Sequence, residues 1–221
     1  MLVPFIRNHQ FNLINKQVGH LQNTCNTVSD PKVVESVRIG TQTKVLEAFP
    51  EASELQQQLL RRFAALNSRG EFQQYLDSLE PFRTEIEPLE EKQLKKLFPK
   101  IKKLKVPDLT TVDFRNITYL GWTDIASNRL FIVYRLNGQY VGIEGRYTPT
   151  NKKGVCFLCN RQEEVALFSA ITKAKPPKAS PDYYKAIGNY MCVNSDACNK
   201  NITDVAMLEK FVYDVTGNYE A

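Results

Sequence analysis

The residues of this 221-residue chain best suited to metal or nucleophilic chemistry are five cysteines and two histidines, and the cysteines are unevenly placed. Cys156 and Cys159 enclose Phe157-Leu158, a tight turn that can present two thiolates toward one point. Cys192 and Cys198 form a second close pair near the carboxy terminus. Zinc takes four soft ligands in a tetrahedron and has no redox chemistry, so four thiolates would close a structural site. Four core cysteines meeting by accident would not require two short-range pairs. Iron–sulfur ligation lacks a typical cluster spacing here. A catalytic zinc needs an open coordination position, usually with histidine or water. The histidines, His9 and His20, both fall in the other half of the chain and read as surface or packing residues. The pattern therefore predicts structural Zn2+ held by Cys156, Cys159, Cys192 and Cys198. Cys25 stands alone among polar residues with no base beside it, and reads as an incidental thiol.

Other chemistry is not signalled. There is no phosphate-binding glycine loop, GxSxG elbow or HExxH helix, and Gly142 and Gly145 sit inside a strand pattern as bulge residues. Glu90-Glu91 belongs to a charged helix face. The chain reads as a binding protein, not an enzyme. No apolar run reaches the length of a membrane span and the amino terminus lacks a signal-peptide core, which predicts a cytoplasmic protein. In that reducing compartment a disulfide framework is not expected, and the sequons at Asn116 and Asn201 carry no weight. The net charge of +5 is concentrated: from Lys92 to Lys105 the chain holds seven lysines and no acid. Such a block suits nucleic acid or an acidic protein face, or forms the solvated side of an amphipathic helix and its linker.

The elements that must position these residues change character along the chain. Apolar residues at helical spacing predict helices over about 5–24, 31–48, 52–67, 71–79 and 88–104. In the third, Leu55, Leu59, Phe63 and Leu66 line one face. Asp30 before Pro31 is a cap followed by a first-turn proline. After Pro107, aromatic and β-branched runs predict strands over 118–124, 129–136, 139–147, 164–172 and 184–193, with Asn137-Gly138 as a hairpin turn. The proline-rich stretch 173–181 predicts a stiff exposed loop. A last helix ends at Gly217. The class is α+β: a helical bundle over 1–107, then a mixed α/β domain over 108–221. A metal-binding turn, a hairpin and a last ligand opening the final helix make the second domain treble-clef-like.

Lys152, Lys153, Arg161, Lys173, Lys175, Lys178, Tyr183, Tyr184 and Lys185 surround the finger, and cations interleaved with aromatics suit nucleic acid or an acidic protein. Phe157, between two ligands on a tight turn, is either an exposed anchor or packs on the finger's own hairpin.

Together, PFIRNHQFNLI at the start, the helical first half, VCFLC and YMCVNSDACNKNI resemble the FusB-type elongation factor G-binding proteins linked to fusidic acid resistance, over essentially the whole chain. The resemblance implies a bacterial protein that binds elongation factor G through its zinc domain and promotes release of the factor from the ribosome, leaving the drug unaltered. It implies a monomer whose contact with the ribosome is indirect or transient, with rRNA a further contact. It carries the metal ligands over to the same four cysteines, with Cys198 where some relatives have histidine. It places partner contacts at Phe157 and Lys185, with looser matches at Tyr184 and Phe211; Gly188 stands where an aromatic contact is expected. The competing reading is an RNA- or ribosome-binding zinc protein acting in translation.

Overall fold

The computed structural model describes residues 3–173, 180 and 183–217. They form two compact units, Met1–Glu85 and Ile86–Ala221. Among the described residues no helix is long and apolar enough to cross a membrane.

The first unit is built on helices α1 (Asn8–Thr27), α2 (Pro31–Glu47), α3 (Glu54–Arg61) and α4 (Arg69–Leu79). Local chemistry sets their starts. Asp30 Oδ1 accepts from the Lys32 backbone N–H at 2.8 Å, with Pro31 in the first turn where its missing donor costs nothing. Ser53 with Gln56, and Ser68 with Glu71, close reciprocal capping boxes on α3 and α4. Ile14, Val18 and Leu21 of α1 pack with Val45, Leu59, Leu60, Phe63, Phe72 and Leu79 in one core. The apolar stripe of α3 differs from the spacing-based one. Leu59, Leu60 and Phe63 are buried, whereas Leu55 is 63% exposed in the first turn after its cap. The helix also ends at Arg61 and tightens into a 3-10 turn over Arg62–Ala65. Both histidines lie on α1.

The second unit begins earlier than the change in composition near residue 107 suggests. Helix α5 (Glu91–Leu97) stops well short of residue 104, because Phe98 takes φ −123° and ψ 59° before Pro99, which disfavours helical backbone at the preceding residue. The chain then continues as an irregular strap to about residue 112. Its apolar residues Leu94, Phe98, Ile101 and Leu104 join Leu120, Phe131 and Val133 in a core of their own. The boundary lies at 85/86 because this burial ties residues 86–107 to the sheet.

That sheet is an antiparallel meander in the order β1 (Leu120–Asp124), β2 (Arg129–Leu136), β3 (Gln139–Val155), β4 (Gln162–Ile171) and β5 (Ala186–Cys192). Asn137 (φ 47°) and Gly138 (φ 81°) supply the two positive-φ positions of the β2–β3 turn. Strand β3 runs to Val155, eight residues past the predicted strand. Its polar second half pairs with the start of β4 across an irregularity between Pro149 and Lys152, where Asn151 adopts φ 54°. This is the bulge. Gly142 and Gly145 instead lie in regular register and permit close approach: a Cβ on Gly142 would meet Phe98 at 2.8 Å and Leu97 at 2.9 Å, and one on Gly145 would meet Phe168 at 2.5 Å.

Alternation sends Ile143, Tyr147, Ala166, Phe168, Ala170 and Met191 to the inner face. There they pack with Leu208, Phe211, Val212 and Val215 of a helix over Ala206–Thr216. The outer face of β1–β2 is covered by α5 and the strap. Trp122, the only tryptophan, stacks on Phe131 at 5.0 Å and meets the Phe98 ring edge-on at 5.7 Å. Phe98→Ala should therefore destabilise the second unit by about 3–5 kcal/mol. Urea unfolding followed by Trp122 fluorescence should show a lower midpoint; an unchanged midpoint would show that the strap contributes nothing to the sheet.

Candidate metal centre and its flanking surface

Two stretches far apart in sequence, the turn after β3 and the end of β5 with the helix that follows it, bring the four cysteines together. Cys156 and Cys159 lie on the turn between β3 and β4, Cys192 ends β5, and Cys198 lies in a short helix α6 (Ser195–Asn201). The turn closes through Asn160 N–H to Cys156 O at 2.9 Å and Cys156 N–H to Arg161 O at 3.0 Å, with Asn160 left-handed at φ 52°. Asn194 starts α6, its Oδ1 accepting from Asp196 and Ala197 N–H. Sequence spacing places Cys198 at the opening of the final helix. The structure instead gives Cys198 its own helix, because Ile202 is extended and α7 (Ala206–Thr216) restarts after Asp204, whose Oδ1 accepts from Ala206 N–H at 2.8 Å.

All four Sγ atoms lie within 4.8 Å of one another and all four residues are buried. Cys156 and Cys198 are 3.8 Å apart, and Cys159 and Cys192 are 3.6 Å apart. Both separations are far too long for a disulfide. Both are close to the edge of a tetrahedron with zinc–sulfur bonds of about 2.3 Å, which is about 3.8 Å. The donor set fits zinc: four thiolates would fill the coordination sphere and leave no position for water or substrate, so the ion's role is structural. Thiols this close do not ionise together without a metal. Hydrogen bonds from Cys159, Cys192 and Cys198 push Cys156 down, while Cys192 and Cys198, donating first to Cys156, are pushed up. A divalent cation removes that conflict by taking all four as thiolates.

Two supporting residues escaped the sequence. Asn199, 2% exposed, accepts through Oδ1 from the backbone N–H groups of Thr118 (2.7 Å) and Tyr119 (3.2 Å), and donates through Nδ2 to Tyr119 O (2.9 Å). One amide thus ties the ligand-bearing helix to the start of β1. The Tyr119 side chain is fully buried, and its hydroxyl has no hydrogen-bond partner among the described residues. It lies beside Cys198, and burial followed by that neighbouring sulfur holds its phenol protonated. A protonated hydroxyl there can donate to the Cys198 thiolate, the outer support that metal ligands commonly have. The backbone N–H of Cys192 donates to Cys156 Sγ at 3.4 Å in the same way.

Of the predicted surface residues, Tyr184 (73% exposed) and Lys185 lie open just before β5. Phe157 is half-buried. Its ring meets Phe211 edge-on at 5.5 Å, and its N–H donates to Tyr190 O at 2.9 Å. Phe211 is only 3% exposed and also contacts Phe168 at 5.7 Å, so it is a core residue behind Phe157. β5 is an edge strand, and its outward residues Ala186, Gly188 and Tyr190 are all exposed. Strand alternation puts Tyr190, two positions from Gly188, on the same face. Lys175, Lys178 and most of the stretch 173–181 lie outside the described residues.

The family model described as "Elongation factor G-binding protein, N-terminal" matches residues 5–87, and that described as "FBP C-terminal treble-clef zinc-finger" matches residues 99–218. A solved structure entitled "Structure of the fusidic acid resistance protein FusC" is similar over 96% of this chain and 97% of that one, with 28% sequence identity and a TM-score of 0.78. Comparison with curated proteins by sequence gives no match.

Cys192→Ser should lose zinc and unfold the second unit while α1–α4 persist; full zinc content with an unchanged Trp122 signal would contradict a structural centre. Tyr119→Phe should keep the fold but weaken zinc retention about tenfold or more against a chelator. Identical release rates would remove the hydroxyl from the site.

Proposed function

The chain belongs to the FusB-type family of elongation factor G-binding proteins, and on that premise we propose that it binds elongation factor G through the edge of its zinc domain and promotes the factor's release from the ribosome. The supporting observation is the position of Phe157. The metal-binding turn seats it against Phe211 and bonds its backbone to Tyr190, so the centre fixes an aromatic at one end of β5. Lys185 and Tyr184 stand open at the other end, about 17 Å away along an extended strand. A partner lying along this edge would meet a ring near the centre and a cation at the rim, the usual division between anchoring and steering. Tyr190, more than half exposed between them, stands close to the position that Gly188 leaves bare.

Release needs no covalent chemistry. A protein that binds the factor better in a conformation prone to leave the ribosome shifts the population toward it, by no more than its differential affinity. Fusidic acid would be left intact, and translation would resume because the trapped factor departs. The protein would act in the cytoplasm as a monomer, touching the ribosome only in passing.

Calorimetric titration of purified elongation factor G, without ribosomes, tests the binding. We expect saturable binding that Phe157→Ala weakens about tenfold or more, as for an interface anchor, with zinc content unchanged and the second unit still folded by circular dichroism. No saturable heat would remove elongation factor G as the partner. An unchanged Phe157→Ala affinity would remove this ring from the interface.

A further inference from the structure

The lysine-rich segment of the second unit is not a loose linker. Leu94 is fully buried, Phe98 is 4% exposed, and Leu97, Ile101 and Leu104 pack against the same outer sheet face. Strap and sheet are further joined by Trp122 Nε1–H to Lys105 O at 2.9 Å, and Tyr140 O–H to Glu87 O at 2.6 Å. With the apolar residues turned inward, all seven lysines are exposed. Among the described residues, only Lys95 and Lys105 of the seven have a carboxylate within reach, Glu91 at 2.5 Å and Asp124 at 3.8 Å. Lys92, Lys96, Lys100, Lys102 and Lys103 are left with uncompensated charge on a firm backing.

We infer that this array binds the phosphate backbone of folded RNA, as a surface separate from the β5 edge. Lysine is depleted in protein–protein interfaces, where arginine and exposed aromatics serve as anchors. The segment offers neither, since its one aromatic, Phe98, is buried. The same absence of bare rings disfavours single strands, which are held by stacking. It also disfavours a membrane, because no apolar side chain on the segment is free to insert. Flexible point charges on a fixed support suit a polyphosphate read without regard to sequence. Glu85, Glu87, Glu90 and Glu91 at its amino-terminal end place the footprint toward Lys96–Lys103. The choice of RNA among duplex polyanions rests on the translation-factor reading; the suitability for phosphate does not.

The test uses the full zinc-loaded chain and the variant with Lys96, Lys100, Lys102 and Lys103 all changed to Gln. Anisotropy of a labelled RNA hairpin is titrated at several potassium chloride concentrations, beside a DNA hairpin of the same sequence and phosphatidylglycerol vesicles. The native chain should bind the RNA hairpin with a steep salt dependence. The variant should bind at least about tenfold more weakly at low salt, with a log–log slope shallower by about three to four. Its circular dichroism, zinc content and ribosome-free binding of elongation factor G should be unchanged. No hairpin binding by the native chain, equal binding by the variant, or preference for DNA or vesicles would overturn the inference. Because elongation factor G binding is measured on the same variant, failure here is separable from failure of the proposed function.

Discussion

Four buried sulfur atoms within 4.8 Å of one another constitute the constraint on which the second unit depends. Without a cation they compete for ionisation, with Cys192 and Cys198 holding their protons toward Cys156. With zinc, the same groups link the β3–β4 turn, the end of β5 and helix α6 at one point. The link also reaches β1, because Asn199, next to the last ligand, takes both backbone donors of Thr118 and Tyr119. Metal binding and sheet closure are therefore one event, and the edge strand with its exposed residues takes its position from it.

The two faces of the sheet are completed differently. The inner face has α7, whose Leu208, Phe211, Val212 and Val215 match the alternating residues of β3–β5. The outer face over β1–β2 has α5 and the strap, short of regular hydrogen bonding but rich in apolar contact. Charge and packing are separated within that segment, with leucines and Phe98 inward and lysines outward. The geometry that buries its core side chains also displays its cations.

Much of this was legible in the sequence for identifiable reasons. The two cysteine pairs, the Asn137-Gly138 turn and the Asp30-Pro31 cap are local signals, and the structure has each where spacing put it. What was not legible depended on tertiary context. The long arm of β3 reads as a loop because Pro149, Asn151 and Lys152-Lys153 lack strand character, yet pairing with β4 imposes it. The division at 85/86 precedes the change in composition because a lysine-rich segment resembles a linker until its leucines are seen against the sheet. Asn199 and Tyr119 carry no motif, since an amide bridging two distant backbones has no sequence signature. Spacing alone leaves Phe157 open between anchor and packing residue, and the structure shows its ring half-buried on Phe211.

The strap also fixes where the chain can be divided. A fragment beginning after residue 107 would keep all four cysteines and every strand, yet lack Leu94, Leu97, Phe98, Ile101 and Leu104. It would leave Phe131, Val133 and Trp122 bare on an open sheet beside Gly142, a flat apolar face of the kind that drives edge-wise and face-wise self-association. A fragment beginning at Ile86 retains its own cover. The smallest zinc-binding piece that keeps its sheet covered is thus set by apolar residues that precede the first strand, and not by the ligands.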